Sequence, residues 1–111
     1  MLTRHYGCWE NEQEVALLSV DVYPREQFPE IDQLIIYELF VPAALRNNGI
    51  GTRALRAAEE LGRTLGFRKT MLHAKPLLKS RSQEDMVAWY ERRGYRIVDR
   101  SSSKLEKILT S

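Results

Sequence analysis

A glycine-bearing turn between an apolar run and a helical pattern constrains this fold more than any other stretch. The apolar run extends from Leu34 to Val41, and the turn that follows reads Arg46-Asn47-Asn48-Gly49-Ile50-Gly51-Thr52. Backbone N–H groups in the first turn of a helix lack helical partners and carry partial positive charge, so they can bind a phosphate. Glycine allows a ligand to approach the backbone closely. The pattern therefore predicts a strand, an anion-binding turn and a helix, although the glycines equally suit an ordinary connection.

Patterns of strands and helices fill the remaining sequence. Strands are expected at Leu2–Tyr6, Val15–Tyr23, Leu34–Val41, Arg68–Lys75, Tyr95–Asp99 and Lys104–Leu109. Gly7 is expected to turn the first strand. One helix is predicted at Thr52–Leu65 with Gly66 as its C-cap, and a second from the N-cap Ser82, with Asp85 three residues later, to Gly94. Because strand, helix and strand in succession form a parallel crossover, the prediction is an α+β domain with a mixed sheet.

Length and composition indicate one globular domain over residues 1–111. The 17 basic and 15 acidic residues nearly cancel, so charge alone does not favour a nucleic-acid partner. A small basic nucleic-acid binder that uses Arg53, Arg56 and Arg63 is a further hypothesis. No apolar run has membrane-spanning length, and no signal peptide is visible. The single Cys8 fits a reducing compartment. We therefore expect a cytoplasmic protein. One cysteine and two distant histidines give no metal-ligand spacing.

Four stretches together carry a resemblance to a known family. They are Glu38-Leu39-Phe40-Val41, Arg46-x-x-Gly49-x-Gly51, Leu72-His73-Ala74-Lys75 and Trp89-Tyr90-Glu91-Arg92-Arg93-Gly94-Tyr95. In this order they resemble the GNAT family of N-acetyltransferases over about residues 34 to 98. The resemblance implies acetyl-CoA as acyl donor and a mostly antiparallel mixed sheet with two main helices. Family members usually carry further helices near the N-terminus, for which this chain has too few residues. It is similar in this respect to short phage-encoded members, including anti-CRISPR ones that act on protein lysines.

The resemblance also implies which residues bind the donor. The turn would hold the pyrophosphate, and the backbone of a strand bulge around Leu39-Phe40-Val41 would bind the pantetheine arm and the thioester oxygen. Gln83 stands seven residues before Tyr90, where many members have a cofactor-contacting Asn. The predicted cofactor-binding residues are therefore Leu39, Phe40, Val41, Arg46, Asn47, Asn48, Gly49, Ile50, Gly51, Thr52 and Gln83. Core packing for the strand residues, and helix opening for Gln83, are the structural alternatives.

Two residues are the candidates for proton transfer. Tyr90 corresponds to the family's tyrosine beside the thioester sulfur, so it is predicted to be the general acid. Glu38, the only carboxylate of the central strand, is the candidate base, with His73 or solvent as alternatives. Each could instead be structural: Tyr90 as a packed aromatic, Glu38 in an ion pair. Cys8 has no patterned partner, which disfavours an acetyl-enzyme.

The predicted function is direct transfer of an acetyl group from acetyl-CoA to an amine, on a protein lysine or a small molecule. The alternative is an inactive CoA-binding module that acts through protein–protein interaction, which the missing N-terminal helices would favour. A homodimer is also considered, with exposed apolar contacts at Trp9, Phe28 and Leu77–Leu78.

Overall fold

The computed structural model describes residues 1–46, 48–74 and 82–109. Along the chain it contains β1 (Leu2–Glu10), β2 (Gln13–Val22), β3 (Gln33–Phe40), α1 (Ile50–Thr64), β4 (Lys69–His73), α2 (Gln83–Glu91), β5 (Arg96–Asp99) and β6 (Lys104–Ile108). A short 3₁₀ turn, Ala43–Leu45, links β3 to the segment before α1. The predicted α+β class is confirmed. Asn47, the expected strand end at Lys75 and the apolar pair Leu77–Leu78 lie outside the described residues.

The described strands form one sheet in the order β1-β2-β3-β4-β6-β5. Of the strands that the structure describes, only β3 and β4 run parallel to each other, and they are joined through α1, as the strand–helix–strand pattern predicts. One core joins the sheet to both helices, with the buried side chains Leu18, Val20, Leu34, Ile36, Leu55, Ala58, Leu72, Tyr90, Tyr95 and Leu105 among its members. The sheet is mixed and mostly antiparallel, as expected.

The first strand is longer than predicted. Gly7 does not turn the chain but lies within β1, opposite Leu17 of β2. The turn falls at Asn11 and Glu12, whose φ angles of 51° and 65° are both positive, and such two-residue turns match the twist of paired strands. Pairing with β2 therefore overrides the turn tendency of glycine. A direct hairpin joins β1 to β2, so the family's N-terminal helices are missing from this connection, as expected.

Glycines determine how α1 begins and ends. It begins at Ile50, two residues before the predicted start, because Gly49 adopts a left-handed N-cap conformation with φ of 76°. At its other end Gly66 has φ of 83°. The Gly66 N–H donates to the Arg63 carbonyl at 3.0 Å, and the Phe67 N–H donates to the Gly62 carbonyl at 2.9 Å. This pair of bonds is a Schellman C-cap, which confirms the predicted role of Gly66.

The same principles define α2. The Ser82 hydroxyl accepts a hydrogen bond from the Asp85 N–H at 3.1 Å, which confirms the predicted N-cap. After the helix, Gly94 has φ of 95°, and the Tyr95 N–H donates to the Tyr90 carbonyl at 3.1 Å. Gly94 thus ends the helical segment as expected, and it ties the start of β5 to Tyr90.

A bulge and a divergence of strands create the opening for the site. Ser19 pairs with Glu38 and Val20 pairs with Ile36, so Tyr37 is an extra residue in β3. The bulge therefore lies at Tyr37, two residues before the stretch Leu39-Phe40-Val41 around which the resemblance implies it. The parallel ladder between β3 and β4 extends only to Ile36 and Leu72. Beyond this point the two strands separate.

Candidate functional site

A cavity of about 890 Å³ lies where β3 and β4 separate, and its volume is in the range of about 300–1,000 Å³ typical of small-ligand sites. The first turn of α1 and one side of α2 form its remaining walls. The lining residues include Ile35, Tyr37, Glu38, Leu39, Phe40, Val41, Arg46, Gly49, Ile50, Gly51, Thr52, His73, Met86, Trp89, Tyr90, Arg92 and Arg93. Most of the residues predicted for the site are therefore brought together in one cavity.

The start of α1 forms one wall of this cavity. Gly49, Ile50, Gly51 and Thr52 all belong to the lining, and the N–H groups of a first helical turn have no acceptor within the helix. The Arg46 Nε donates to the Val41 carbonyl at 3.1 Å, which ties this arginine to the end of β3. These features give the wall partial and full positive charges that suit a phosphate.

Gly51 also has a packing role. A Cβ atom at this position would lie 3.2 Å from Cζ2 of Trp89 in α2. The glycine thus lets α2 approach the first turn of α1, besides leaving the helix N-terminus open. The structural interpretation of this glycine therefore applies, and its anion-binding role stays a prediction.

Arg93 is a cavity residue that sequence reasoning did not single out. Its Nε donates to Thr52 Oγ1 at 2.9 Å and its Nη1 to the Trp89 carbonyl at 2.8 Å. The guanidinium carbon lies 3.8 Å from the Trp89 ring centroid, in cation–π contact. Burial lowers the pKa of Arg93, and the nearby cations Arg92 and Arg56 lower it further. The i, i+4 spacing of Trp89 and Arg93 in the sequence was the available signal.

Tyr90 lies on the wall formed by α2. It is 6% exposed, and its ring packs edge-on against Trp89 at 4.9 Å and against Tyr95 at 5.6 Å between centroids. Packing on both sides restricts the ring. Tyr90 therefore combines the predicted structural role with a position on the cavity.

Two candidate bases lie on the strands that border the opening. Glu38 follows the bulged Tyr37 in β3, and His73 ends β4; both are part of the lining. The His73 ring is exposed, and its Nδ1 lies 3.2 Å from the Ser102 carbonyl.

Cys8 is not among the residues that line the cavity. Burial raises the pKa of the Cys8 thiol, and the nearby Glu14 carboxylate raises it further.

Among the described residues, two of the predicted cofactor contacts are absent from the cavity lining. Gln83 Nε2 donates to the Ala74 carbonyl at 3.1 Å and to Ser103 Oγ, which ties the start of α2 to the end of β4. Asn48 Nδ2 donates to the Leu45 carbonyl at 3.4 Å. For both residues a cofactor contact stays a prediction.

Further features bear on other kinds of site. Arg53 pairs with Glu10 at 2.6 Å and Arg63 with Glu60 at 3.4 Å, so two of the arginines considered for nucleic acid have acidic neighbours. Among the described residues there is no group of three His, Cys, Asp or Glu side chains suited to a metal ion. In the same residues, no helix is both long and apolar enough to cross a membrane.

The acetyltransferase fold class is defined by a mixed sheet whose two parallel strands separate next to the start of a helix that follows a glycine turn. The sequence profile of the acetyltransferase (GNAT) family matches residues 3–95, and the chain belongs to this family.

Solved structures support the fold assignment. The PaiA N-acetyltransferase of Thermoplasma acidophilum, in complex with coenzyme A, superposes with a TM-score of 0.71 at 14% identity, over 96% of this chain and 60% of that one. A GNAT acetyltransferase of Elizabethkingia anophelis with acetyl-CoA bound gives a TM-score of 0.69 at 15% identity, over 87% of this chain and 56% of that one. This chain thus spans little more than half the length of either protein.

The anti-CRISPR protein AcrVA5 gives a TM-score of 0.74 at 18% identity, over 96% of this chain and 98% of that one. At such identities these likenesses describe the fold. No curated protein matches the chain in sequence.

Proposed function

We propose that this protein is an acetyl-CoA-dependent N-acetyltransferase that transfers the acetyl group directly to an amine. The observation that supports this proposal most directly is that one cavity is lined by the start of α1, Tyr90 and Glu38. Membership of the GNAT family supports the same reaction class. Coenzyme A and acetyl-CoA are bound in two proteins of similar fold.

The cavity suits a donor of this kind. Its pyrophosphate would meet the N–H groups of Gly49, Ile50 and Gly51, with the Arg46 and Arg93 guanidinium groups as counter-charges. The same proposed donor site includes Thr52, which lines the cavity, together with the predicted contacts Asn47, Asn48 and Gln83. The pantetheine arm would run along the backbone of Leu39, Phe40 and Val41, on the side of β3 that β4 has left. The donor supplies an acyl group activated as a thioester.

The acceptor amine must lose a proton before it can attack. A lysine-like amine has a pKa of about 10.4 in water, so at neutral pH it arrives protonated. In our proposal Glu38 takes this proton, directly or through water, and its position next to the bulge supports that role. His73 is the second candidate, since it borders the same opening.

Tyr90 would supply the second proton. As the C–N bond forms and the C–S bond breaks, the electron pair of the C–S bond stays on the sulfur, which then takes a proton. A phenol with a pKa of about 10 is protonated at neutral pH and can donate it, then recover a proton from solvent. The position of Tyr90 on the cavity wall supports this assignment.

The acceptor class is a primary amine, either on a protein lysine or on a small molecule. Tyr37, at the bulge on the rim of the cavity, is 69% exposed. Because β1 and β2 are joined by a two-residue turn, no helix from this connection stands over the sheet. Both features favour an acceptor segment of a protein, as we would also expect of a short phage-type member.

Assembly and location are part of the same proposal. Trp9 is 63% exposed and remains a candidate for contact with a second copy. Phe28 packs edge-on against Tyr23 at 5.3 Å and is the weaker candidate. The free thiol of Cys8 fits a reducing cytoplasm.

The test combines binding and transfer. Calorimetry should detect coenzyme A binding to the parent protein and a weaker affinity in Arg46→Gln. Arg68→Gln is the matched control, because that side chain is 85% exposed and does not line the cavity. Intact-mass measurement of peptides and polyamines after incubation with acetyl-CoA should show a gain of one acetyl group. Binding without transfer to any acceptor would favour the inactive module.

A further inference from the structure

Glu59 of α1 is a buried carboxylate outside the cavity. It is 2% exposed, and each of its oxygens contacts a different part of the fold. Oε1 lies 3.0 Å from Nζ of Lys107 in β6, and Oε2 accepts a hydrogen bond from the Tyr95 hydroxyl at 3.0 Å. One side chain thus joins α1 to the last strand and to the turn that follows α2.

Stability alone does not account for this arrangement. Removing a carboxylate and an ammonium group from water is costly, and well-packed apolar residues in place of a buried ion pair are often as stable or more so. Glu59 is buried on the same helix as Leu55 and Ala58, which belong to the apolar core. The charged group therefore calls for a geometric explanation, and its partners provide one.

The first arm of the network leads to Arg93. Lys107 Nζ, held by Glu59, also donates to the Arg93 backbone carbonyl at 3.0 Å. The Arg93 side chain in turn binds Thr52 and stacks on Trp89 at the cavity wall. The ion pair thus fixes the backbone from which the cavity guanidinium extends.

The second arm leads to Tyr90. The Tyr95 hydroxyl, which donates to Glu59, lies 2.8 Å from Thr70 Oγ1. The ring centroids of Tyr95 and Tyr90 lie 5.6 Å apart. The backbone N–H of Tyr95 also donates to the Tyr90 carbonyl. Burial raises the pKa of Tyr95, so its hydroxyl keeps the proton that it donates. Glu59 therefore supports Tyr90 through one intermediate residue.

We propose that Glu59 is a positioning residue for acetyl transfer, which acts through Lys107 on Arg93 and through Tyr95 on Tyr90. The Lys107 arm holds the donor site, and the Tyr95 arm orients the proton donor. This inference rests on the proposed function. It predicts that one arm affects the dissociation constant of coenzyme A and the other affects kcat, whereas a purely structural network would affect both through stability.

The test separates the two arms. Lys107→Met removes the ammonium group, and the dissociation constant of coenzyme A should rise about tenfold while kcat changes little. Tyr95→Phe removes the hydroxyl, and kcat should fall about tenfold while coenzyme A affinity stays near the parent value. Thr70→Val is the matched control: it removes a Tyr95 partner but leaves the Glu59 bond, so both constants should be retained.

A double variant guards against loss of folding, because Lys107→Met alone leaves Glu59 buried without its cation. Glu59→Leu with Lys107→Met removes both charges and should retain the thermal unfolding midpoint, yet bind coenzyme A more weakly and turn over more slowly. Parent-like binding and turnover in a folded double variant would overturn the inference. So would single variants whose two constants change together in proportion to lost stability.

Failure of the proposed function is distinguishable from failure of this inference. A parent protein that does not bind coenzyme A contradicts both. A parent that binds and transfers, with a folded double variant that does the same equally well, contradicts the positioning role alone.

Discussion

Tyr90→Phe is the substitution that tests the proposed chemistry most directly. It removes one hydroxyl and keeps the ring, which is 6% exposed and packed edge-on between Trp89 and Tyr95. Loss of one hydrogen-bonding group costs about 1 kcal/mol of folding free energy, or roughly 4 °C in the unfolding midpoint of a domain of this size. Tyr90→Ala would instead cost about 3–5 kcal/mol, because it empties the space between two rings. The phenylalanine variant should therefore stay folded and bind coenzyme A.

Turnover should respond much more strongly than stability. General acid catalysis contributes about a hundredfold or more, which corresponds to roughly 2.7 kcal/mol of transition-state free energy. The measurement is release of free thiol at saturating donor and acceptor, with rapid mixing to show that chemistry limits the rate. Circular dichroism and coenzyme A titration serve as controls. A folded, binding-competent variant with kcat within about threefold of the parent, far less than this loss, would make Tyr90 a packing residue only.

Three further substitutions test other parts of the proposal. Gly51→Val should abolish coenzyme A binding in calorimetry, because its side chain blocks the helix start and meets Trp89; undiminished affinity in a folded variant would remove the proposed phosphate site. Glu38→Gln should lower kcat/KM about a hundredfold at neutral pH, with a deficit that shrinks as the pH approaches the amine pKa of about 10.4; a deficit independent of pH would exclude Glu38 as the base. Ser82→Ala should cost about 1 kcal/mol in urea unfolding, since the Asp85 N–H loses its acceptor; an unchanged midpoint would show that the cap contributes nothing.

Local signals were sufficient for most of the fold. The N-cap at Ser82 and the C-cap at Gly66 depend on neighbouring residues, and both are confirmed. The apolar run from Leu34 predicts β3 to within one residue at each end. These elements are encoded by short-range patterns of hydrophobicity and backbone preference.

Tertiary pairing accounts for what the sequence did not show. Gly7 extends β1 because Leu17 pairs with it, and Tyr37 bulges because of the register between β2 and β3. Arg93 joins the cavity through Thr52, which is 41 residues away. Gln83 binds backbone and hydroxyl groups that come together only in the folded chain. No pattern along the sequence specifies such partners.

The early end of the β3–β4 ladder has a consequence for the lifetime of the protein. The pairing register of the two strands ends at Ile36 and Leu72, so we expect opening motions to cost least where the strands separate. A donor bound there adds RT ln(1 + [L]/Kd) to the free energy of unfolding, where [L] is the free donor concentration. At a donor concentration of one hundred times Kd this amounts to about 2.7 kcal/mol. Protease susceptibility and cellular abundance follow the folded fraction. The amount of this protein in a cell would then rise and fall with the supply of its own donor.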